Sequence, residues 1–393
     1  MADEFEIYQR QGQRIAASDV LAQIGLGRQI MLEKCTISGD LDVSRVLVKE
    51  EEFDISGLKV EDAGGCSRIT IDRIMSFRSC LFEGNVSFSA PWEKPEAIRV
   101  VFAKDAIFNS SEFGGQTRFS DTDFLATAGF DGCTFRHVTD FRRVNFKANA
   151  LYRTAEFCGY GLFSESVFES GARFTNTCFT RGGNFTEVRF EGVTDFSGVY
   201  ARSKSVPVYE SVHFSRHTYG DDESFWRFIK QSAQEAGYYQ LAGESFYMER
   251  CAHFWKRFRG NNYDELSAAA KILRWIAGVK LLPELIFGRL LFGYGERPIR
   301  VLFASAAVVI LCAIFYASPY SNLEWRIDSH ISQPGFIDGL YFSTITFTTL
   351  GFGDIYPSPD HLLTRCVAMF EALCGASLMA LYVVTLSKRY SRG

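Results

Sequence analysis

Seven consecutive residues near the C-terminus combine the oxygen atoms and the backbone freedom needed to bind a dehydrated cation; they read Thr348-Thr349-Leu350-Gly351-Phe352-Gly353-Asp354. A cation that has lost its water shell needs a stack of oxygens, which backbone carbonyls supply if the chain bends alternately. Gly351 and Gly353 permit backbone angles that other residues resist. Thr349 adds a hydroxyl at one end of the stack. This string is therefore a candidate ion-binding segment.

Two long apolar segments flank the string. Residues 301–320 contain no charged side chain, and residues 366–387 contain only Glu371. Each has about the 20 residues that a helix needs to cross the hydrocarbon core of a bilayer. Their apolar character runs all round the helix, which disfavours a buried helix of a soluble domain. We predict two membrane spans.

The residues between the two spans divide into a polar outer stretch, 321–334, and a second part, 335–357, that contains the ion-binding string. Residues 339–348 carry no charge but are too few to cross a bilayer. Such a segment is tolerated at membrane depth where protein encloses it. We predict a re-entrant loop over residues 335–357 that begins with a short helix.

In this setting the string resembles the potassium-channel signature Thr-Val-Gly-Tyr-Gly followed by Asp. The resemblance implies that K⁺ is the permeant ion, with no other cofactor. It implies four subunits, a homotetramer, because one strand supplies only a quarter of each ring of oxygens. The residues that would bind K⁺, through their carbonyls and the Thr349 hydroxyl, are Thr349, Leu350, Gly351, Phe352 and Gly353.

The side chains that we expect to support this filter are Thr348, Asp354, Tyr341 and Glu371. Two positions depart from the family pattern. Phe352 replaces the commoner Tyr, so the hydroxyl that braces many such filters is absent. Ile345 stands where some members place a Glu that pairs with the filter Asp. Potassium selectivity is the favoured interpretation, and a weakly selective cation channel is its alternative.

Ionisable Glu371 within a predicted span indicates a functional position. It either lines the cavity and attracts cations or lies behind the filter, hydrogen-bonded to the re-entrant helix. Gly375 is either the point where the inner helix bends, as in the channel family, or a site of close helix packing. Further gating candidates, for which ordinary packing is the alternative, are Met379, Tyr382, Val383 and Leu386.

A repeat fills the first half of the chain. Aromatic residues recur from Phe102 to Phe196 at alternating steps of five and six, and a small or β-branched residue stands two positions before nearly every one. Residues two apart share one face of a strand, whereas steps of five and six fit neither one helix nor one flat strand. A coil of short strands that turns a corner after each strand satisfies both observations.

This pattern resembles the pentapeptide-repeat family, which implies a right-handed quadrilateral β-helix. The resemblance is less regular before Phe102 and is interrupted at residues 91–95. We expect an N-terminal helical or cap segment at 1–34, the β-helix at 35–200, a helical linker at 201–297 and a two-span α-helical pore domain at 298–393. The fold class is thus a multi-domain membrane protein. Its β-helix would serve assembly or regulation.

Within the linker, residues 223–259 show helical spacing and predict a helical hairpin. Residues 268–293 are apolar yet carry several charged side chains, which disfavours a third span. We expect amphipathic helices there that lie on the inner membrane surface and contact anionic lipids.

The N-terminus lacks a basic start followed by an apolar core, so we expect no cleavable signal. The ten cysteines include no Cys-x-x-Cys pair and indicate free thiols. The basic residues that flank the spans, which favour cytoplasmic ends, are Arg289, Arg297 and Arg300 before the first and Lys388, Arg389 and Arg392 after the second. We predict a multi-pass protein of the bacterial inner membrane with both termini cytoplasmic.

Other functional classes find less support. The net charge of −4 argues against a nucleic-acid-binding protein. No cluster of Ser, His and Asp and no metal-ligand set suggests an enzyme. A membrane-anchored binding scaffold with a non-conducting pore is an alternative that the intact Thr349, Gly351 and Gly353 disfavour. No phosphate loop or calcium loop occurs, so the sequence identifies no regulatory ligand or protein.

Overall fold

The computed structural model describes residues 7–45, 54–63, 66–90, 98–202, 204–260, 263–325 and 335–390. The chain divides into two units, Met1–Lys271 and Ile272–Gly393, whose boundary falls inside the predicted linker. The predicted interruption at residues 91–95, most of the polar stretch 321–334, the side chains of Lys388 and Arg389, and Arg392 lie outside the described residues.

The first unit consists mainly of short strands. The first ten are β1 (Ile7–Gln11), β2 (Arg14–Ala16), β3 (Gln29–Glu33), β4 (Thr36–Ser38), β5 (Leu41–Asp42), β6 (Lys59–Ala63), β7 (Cys66–Ile71), β8 (Met75–Arg78), β9 (Leu81–Phe82) and β10 (Val86–Ser87). The next ten are β11 (Ile98–Phe102), β12 (Ala106–Ile107), β13 (Glu112–Phe113), β14 (Thr117–Arg118), β15 (Asp123–Phe124), β16 (Ala128–Gly129), β17 (Thr134–Phe135), β18 (Thr139–Asp140), β19 (Asn145–Phe146) and β20 (Ala150–Leu151). The last ten are β21 (Glu156–Phe157), β22 (Gly161–Leu162), β23 (Val167–Phe168), β24 (Ala172–Arg173), β25 (Cys178–Phe179), β26 (Gly183–Asn184), β27 (Arg189–Phe190), β28 (Thr194–Asp195), β29 (Tyr200–Ala201) and β30 (His213–Phe214).

These strands form four sheets, and the chain visits each sheet in turn. From β11 to β25 every strand pairs in parallel with the strand four places later, so that β11 joins β15 and β12 joins β16. Phe113 on β13 thus pairs with Phe135 on β17, one coil further on. The antiparallel pair of β6 and β7 is a local exception. Repetitive strands in parallel sheets are consistent with the predicted β-helix.

Stacked aromatic rings fill the interior of the four sheets. The ring centroids of Phe113 and Phe135 lie 4.8 Å apart, and those of Phe135 and Phe157 are also 4.8 Å apart. This spacing matches the separation of hydrogen-bonded strands, because each ring stands on its own coil. Full burial of one such side chain contributes on the order of 1.5–3 kcal/mol to the free energy of unfolding. This column of stacked rings therefore stabilises coils made of two-residue strands.

Helices cover both ends of the strand ladder, the stack of coils formed by β1 to β30. Helix α1 (Ala17–Gly25) buries Val20, Leu21 and Ile24 in the same apolar core at the N-terminal end. At the other end, α2 (Glu223–Ala236) places Phe225 5.1 Å from the Phe196 ring centroid. Helix α3 (Tyr239–Arg259) packs on α2, as the predicted hairpin requires. Covering the ends removes open edges that would pair with other chains.

The ladder extends beyond the limits that the sequence pattern predicted. Strands β1, β2 and β3 of the parallel sheets already lie in the region expected to be a helical cap at 1–34, and among residues 7–34 only α1 is an α-helix. The inward positions there are occupied by Ile15, Ile30 and Leu32 instead of Phe, which obscured the repeat. At the far end β30 carries the ladder past residue 200, because Phe214 stacks 4.9 Å from Phe190.

Tyr152 occupies a Phe position in the column and provides a test of its packing. Its ring stacks between Phe130 and Phe174, and its buried hydroxyl has no hydrogen-bond partner among the described residues. Tyr152→Phe should therefore raise the free energy of unfolding by about 1–3 kcal/mol, the cost of an unsatisfied buried hydroxyl. Denaturant unfolding would measure the change, with exposed Tyr238→Phe as the neutral control. A loss of stability in Tyr152→Phe would show that the hydroxyl is satisfied.

The second unit is helical. Helix α4 (Ala268–Gly278) straddles the unit boundary and is followed by a 3₁₀ turn (Val279–Leu281), a π-helical segment (Glu284–Leu291) and a second 3₁₀ turn (Gly293–Gly295). Then come α5 (Pro298–Tyr316), β31 (Leu323–Trp325), α6 (Phe336–Phe347), β32 (Ile355–Pro357) and α7 (Leu362–Tyr390). Pro298 begins α5 because a first-turn proline leaves no amide hydrogen unsatisfied. Ile272, Leu273 and Trp275 of α4 are exposed, in keeping with the predicted amphipathic helix.

Candidate functional site

The backbone of the ion-binding string alternates in handedness. The φ angles of Thr349, Gly351 and Gly353 are 58°, 51° and 74°, whereas Leu350 and Phe352 do not have positive φ. Alternation of this kind turns successive carbonyl groups toward one side of the strand, where they can replace the water shell of an ion. A positive φ is unusual for β-branched Thr349, which indicates backbone strain held by the surroundings.

Helix α6 delivers the chain to this string. It starts where the amide of Gly335 donates to Asp338 Oδ2 over 2.9 Å, and it ends at Phe347. The hydroxyl of Thr348 donates to the carbonyl of Thr344 over 2.7 Å, and the amide of Leu350 donates to the Ile345 carbonyl over 2.9 Å. The carbonyl end of α6, which carries its partial negative charge, therefore adjoins the first residues of the string.

Two glycines allow α6 to lie in direct contact with both long helices. A Cβ atom on Gly339 of α6 would lie 2.6 Å from the Ala313 carbonyl oxygen of α5. A Cβ atom on Gly375 of α7 would lie 2.0 Å from the Phe347 carbonyl oxygen at the end of α6. Helix α7 continues through Gly375 without interruption. Of the two roles open for Gly375, this structure contains the close packing contact.

An apolar cluster lies behind the string; its members are Tyr316, Leu323, Phe342, Ile345 and Ile355. The Tyr316 and Phe342 rings meet edge to face, with centroids 4.8 Å apart. Strands β31 and β32 pair antiparallel and hold the chain on either side of this cluster. Ile345, where some potassium channels place a Glu, is one of these buried apolar side chains.

Asp354, the last residue of the string, accepts a hydrogen bond from a side chain of α6. The Tyr341 hydroxyl donates to Asp354 Oδ2 over 2.7 Å. This hydrogen bond lowers the pKa of the Asp354 carboxyl, because it stabilises the ionised form. The Tyr341 hydroxyl thus holds Asp354 in place, although Phe352 has no hydroxyl.

The Tyr341→Phe substitution should raise the pKa of Asp354 toward its ordinary value. A lowered pKa gives a contribution to stability that is present above the unfolded-state pKa and is lost as pH falls through the folded-state pKa. In the variant this contribution should be smaller, and its loss should be complete at a higher pH, because the folded-state pKa lies closer to the unfolded-state pKa. Solid-state ¹³C NMR titration of the aspartate carboxyls would measure the shift, with Asp354→Asn to assign the signal and Tyr356→Phe as the control. An unchanged Asp354 titration in Tyr341→Phe would contradict the assignment.

Glu371 lies behind the string and not in an open cavity of the subunit. Its side chain is fully buried, with 0% exposed. Its Oε2 atom accepts a hydrogen bond of 2.7 Å from the Tyr316 hydroxyl of α5, and its Oε1 atom lies in hydrogen-bond contact with the Ser343 hydroxyl of α6. Of the two arrangements left open by the sequence, the structure contains the one in which Glu371 is hydrogen-bonded to the short helix before the string, α6. Sequence reasoning missed Tyr316 and Ser343 as its partners.

The gating candidates on α7 fall into different environments. Tyr382 packs against the buried cluster of Val301, Phe347 and Leu378. Met379 and Val383 are exposed in the single subunit, and Leu386 is half-buried. Met379 and Val383 therefore remain open to a pore or to neighbouring molecules, whereas Tyr382 is held by contacts within its own chain.

Comparison with known proteins identifies the C-terminal region. Residues 303–392 match a family model described as "Ion channel". Two described helical segments, Pro298–Tyr316 of α5 and Leu362–Ser387 within α7, are long and apolar enough to cross a membrane. No curated protein and no solved structure matches the chain. The region from α5 to α7 is thus an ion-channel pore domain, and the chain is a membrane protein.

Proposed function

We propose that four copies of this chain form a potassium-selective channel. The observation that carries the proposal is the alternating backbone at Thr349, Gly351 and Gly353. This string follows a short helix and lies between two helices that can span a membrane. In a tetramer, four such strands would surround one axis, and their carbonyl groups with the Thr349 hydroxyls would bind dehydrated K⁺.

The exposed side chains of the string support assembly of several subunits. Leu350 and Phe352 are 62% and 65% exposed in the single chain. Large apolar side chains beside a carbonyl-lined ion path need a protein surface to cover them. Neighbouring subunits provide that surface in the proposed tetramer.

We also propose the type of the β-helix, the membrane in which the protein lies and the side on which its termini lie. The strand ladder is a right-handed quadrilateral β-helix of the pentapeptide-repeat type that serves assembly or regulation. The protein lies in the bacterial inner membrane with both termini in the cytoplasm. Helix α4 and the segment after it contact the inner leaflet, where basic side chains meet anionic lipids.

Ion flux through the purified protein in liposomes tests the function. Vesicles loaded with K⁺ should release it down its gradient, whereas vesicles loaded with Na⁺ at the same concentration should not. Equal release of both ions would support a weakly selective channel instead. Protein-free vesicles carried through the same procedure are the control for leakage.

A further inference from the structure

The Glu371 carboxyl group lies where helices α5, α6 and α7 meet. The polar groups that face it are the Tyr316 hydroxyl and Cys312 thiol of α5 and the Ser343 hydroxyl of α6, with Cys374 of α7 near Cys312. No cationic side chain among the described residues pairs with this carboxyl. An unpaired negative charge buried inside a membrane domain is costly, and such a group tends to become neutral.

The single hydroxyl hydrogen of Ser343 also indicates that the Glu371 carboxyl is neutral. Its hydroxyl lies 2.9 Å from the Val309 carbonyl oxygen of α5 and also contacts Glu371 Oε1. A serine hydroxyl has one proton, so it can donate to only one of these two oxygens. If Glu371 is protonated on Oε1, it donates to Ser343, and Ser343 donates to Val309. Tyr316 then donates to Oε2, and every contact becomes a donor–acceptor pair.

We propose that Glu371 is held as a neutral carboxylic acid whose proton lies on Oε1 and is donated to Ser343. The resulting chain of hydrogen bonds joins α7 through α6 to α5. Glu371 is then a positioning residue, because its buried side chain acts through α6, which carries the string. The position of the proton does not depend on channel activity, whereas the effect on conduction rests on the proposed function.

Infrared difference spectroscopy of the full-length protein tests the proton directly. The wild-type spectrum minus that of Glu371→Gln should show the C=O band of a protonated carboxylic acid. Ser343→Ala should shift this band, because the acceptor of the proton is lost, whereas Ser377→Ala on the exposed face of α7 should not. A difference spectrum with only ionised-carboxylate bands would overturn the proposal, whether or not the protein conducts.

Flux measurements provide the second readout. Gln has a donor and an acceptor in the geometry of the neutral acid, so Glu371→Gln should retain K⁺ flux within about threefold of wild type. Glu371→Ala and the shorter Glu371→Asp should each reduce it by about tenfold or more and lower the K⁺-to-Na⁺ ratio, because α7 loses its hydrogen bonds to Ser343 of α6 and Tyr316 of α5. A Glu371→Gln protein as impaired as Glu371→Ala would overturn the proposal.

Discussion

Gly351→Asp should abolish K⁺ flux through the reconstituted protein, by about 100-fold or more, while leaving the protein in the membrane. Gly351 has a φ angle of 51°, a conformation that costs an L-residue roughly 1–2 kcal/mol. No atom lies within 4 Å of a Cβ placed there in the single chain, so the cost arises from the backbone and not from a local clash. In the proposed tetramer the strain occurs four times around one ion path, and the carbonyl groups lose their common direction.

The same substitution at Gly335 is a matched control. Gly335 is exposed at the start of α6, has a φ angle of −70°, and a Cβ there would meet only Asp338 Oδ2, at 3.5 Å. Asp is a favoured residue at a helix N-terminus, so Gly335→Asp should conduct. K⁺ flux from liposomes, with protein content checked for each variant, measures both. Retained flux in Gly351→Asp would show that this string does not form the ion path.

Gly375→Ala should damage assembly of the pore domain instead of improving its inner helix. In an exposed helix, replacing Gly with Ala stabilises by about 1 kcal/mol. Here the new methyl group would lie 2.0 Å from the Phe347 carbonyl oxygen, a backbone atom at the end of α6. Helix α6 must therefore move away from α7, and the ion-binding string that follows it must move as well. We expect loss of K⁺ flux and a lower midpoint of thermal unfolding.

This substitution also separates the two roles considered for Gly375. If the glycine serves mainly as a bend, Ala should leave the unfolding midpoint unchanged or higher and alter only how often the channel opens. Nearby Ser377 on the same helix is exposed, so Ser377→Ala should leave both flux and thermal stability unchanged. A Gly375→Ala protein as stable as wild type would contradict the packing role.

Local periodicity explains why the strand ladder was predictable and where the prediction fell short. Each inward Phe follows the last by five or six residues, so a short stretch of sequence contains the whole pattern. At the N-terminal end the same inward positions are taken by Ile15, Ile30 and Leu32. These residues also suit a helix or an ordinary strand, so the pattern alone did not reveal that the ladder already includes Ile7–Gln11.

The contacts around the ion-binding string join residues that lie far apart in the sequence and follow no repeating pattern. Tyr316 and Glu371 are 55 positions apart, and Ser343 and Glu371 are 28 apart. Glu371 could be recognised from the sequence because it is an ionisable residue in a predicted span. Its two possible surroundings, however, differ only in how the helices pack. The role of Gly375 was open for the same reason, because it depends on the position of the Phe347 carbonyl group.

The reversal potential of the wild-type protein under opposed K⁺ and Na⁺ gradients tests the central claim most directly. Full-length protein in a planar bilayer would be bathed by a potassium salt on one side and the same concentration of the sodium salt on the other. If carbonyl groups of Thr349 to Gly353 bind dehydrated K⁺, the current should reverse far from zero, with the sign given by K⁺ permeability. Reversal near zero would mean that K⁺ and Na⁺ pass equally well and would contradict potassium selectivity.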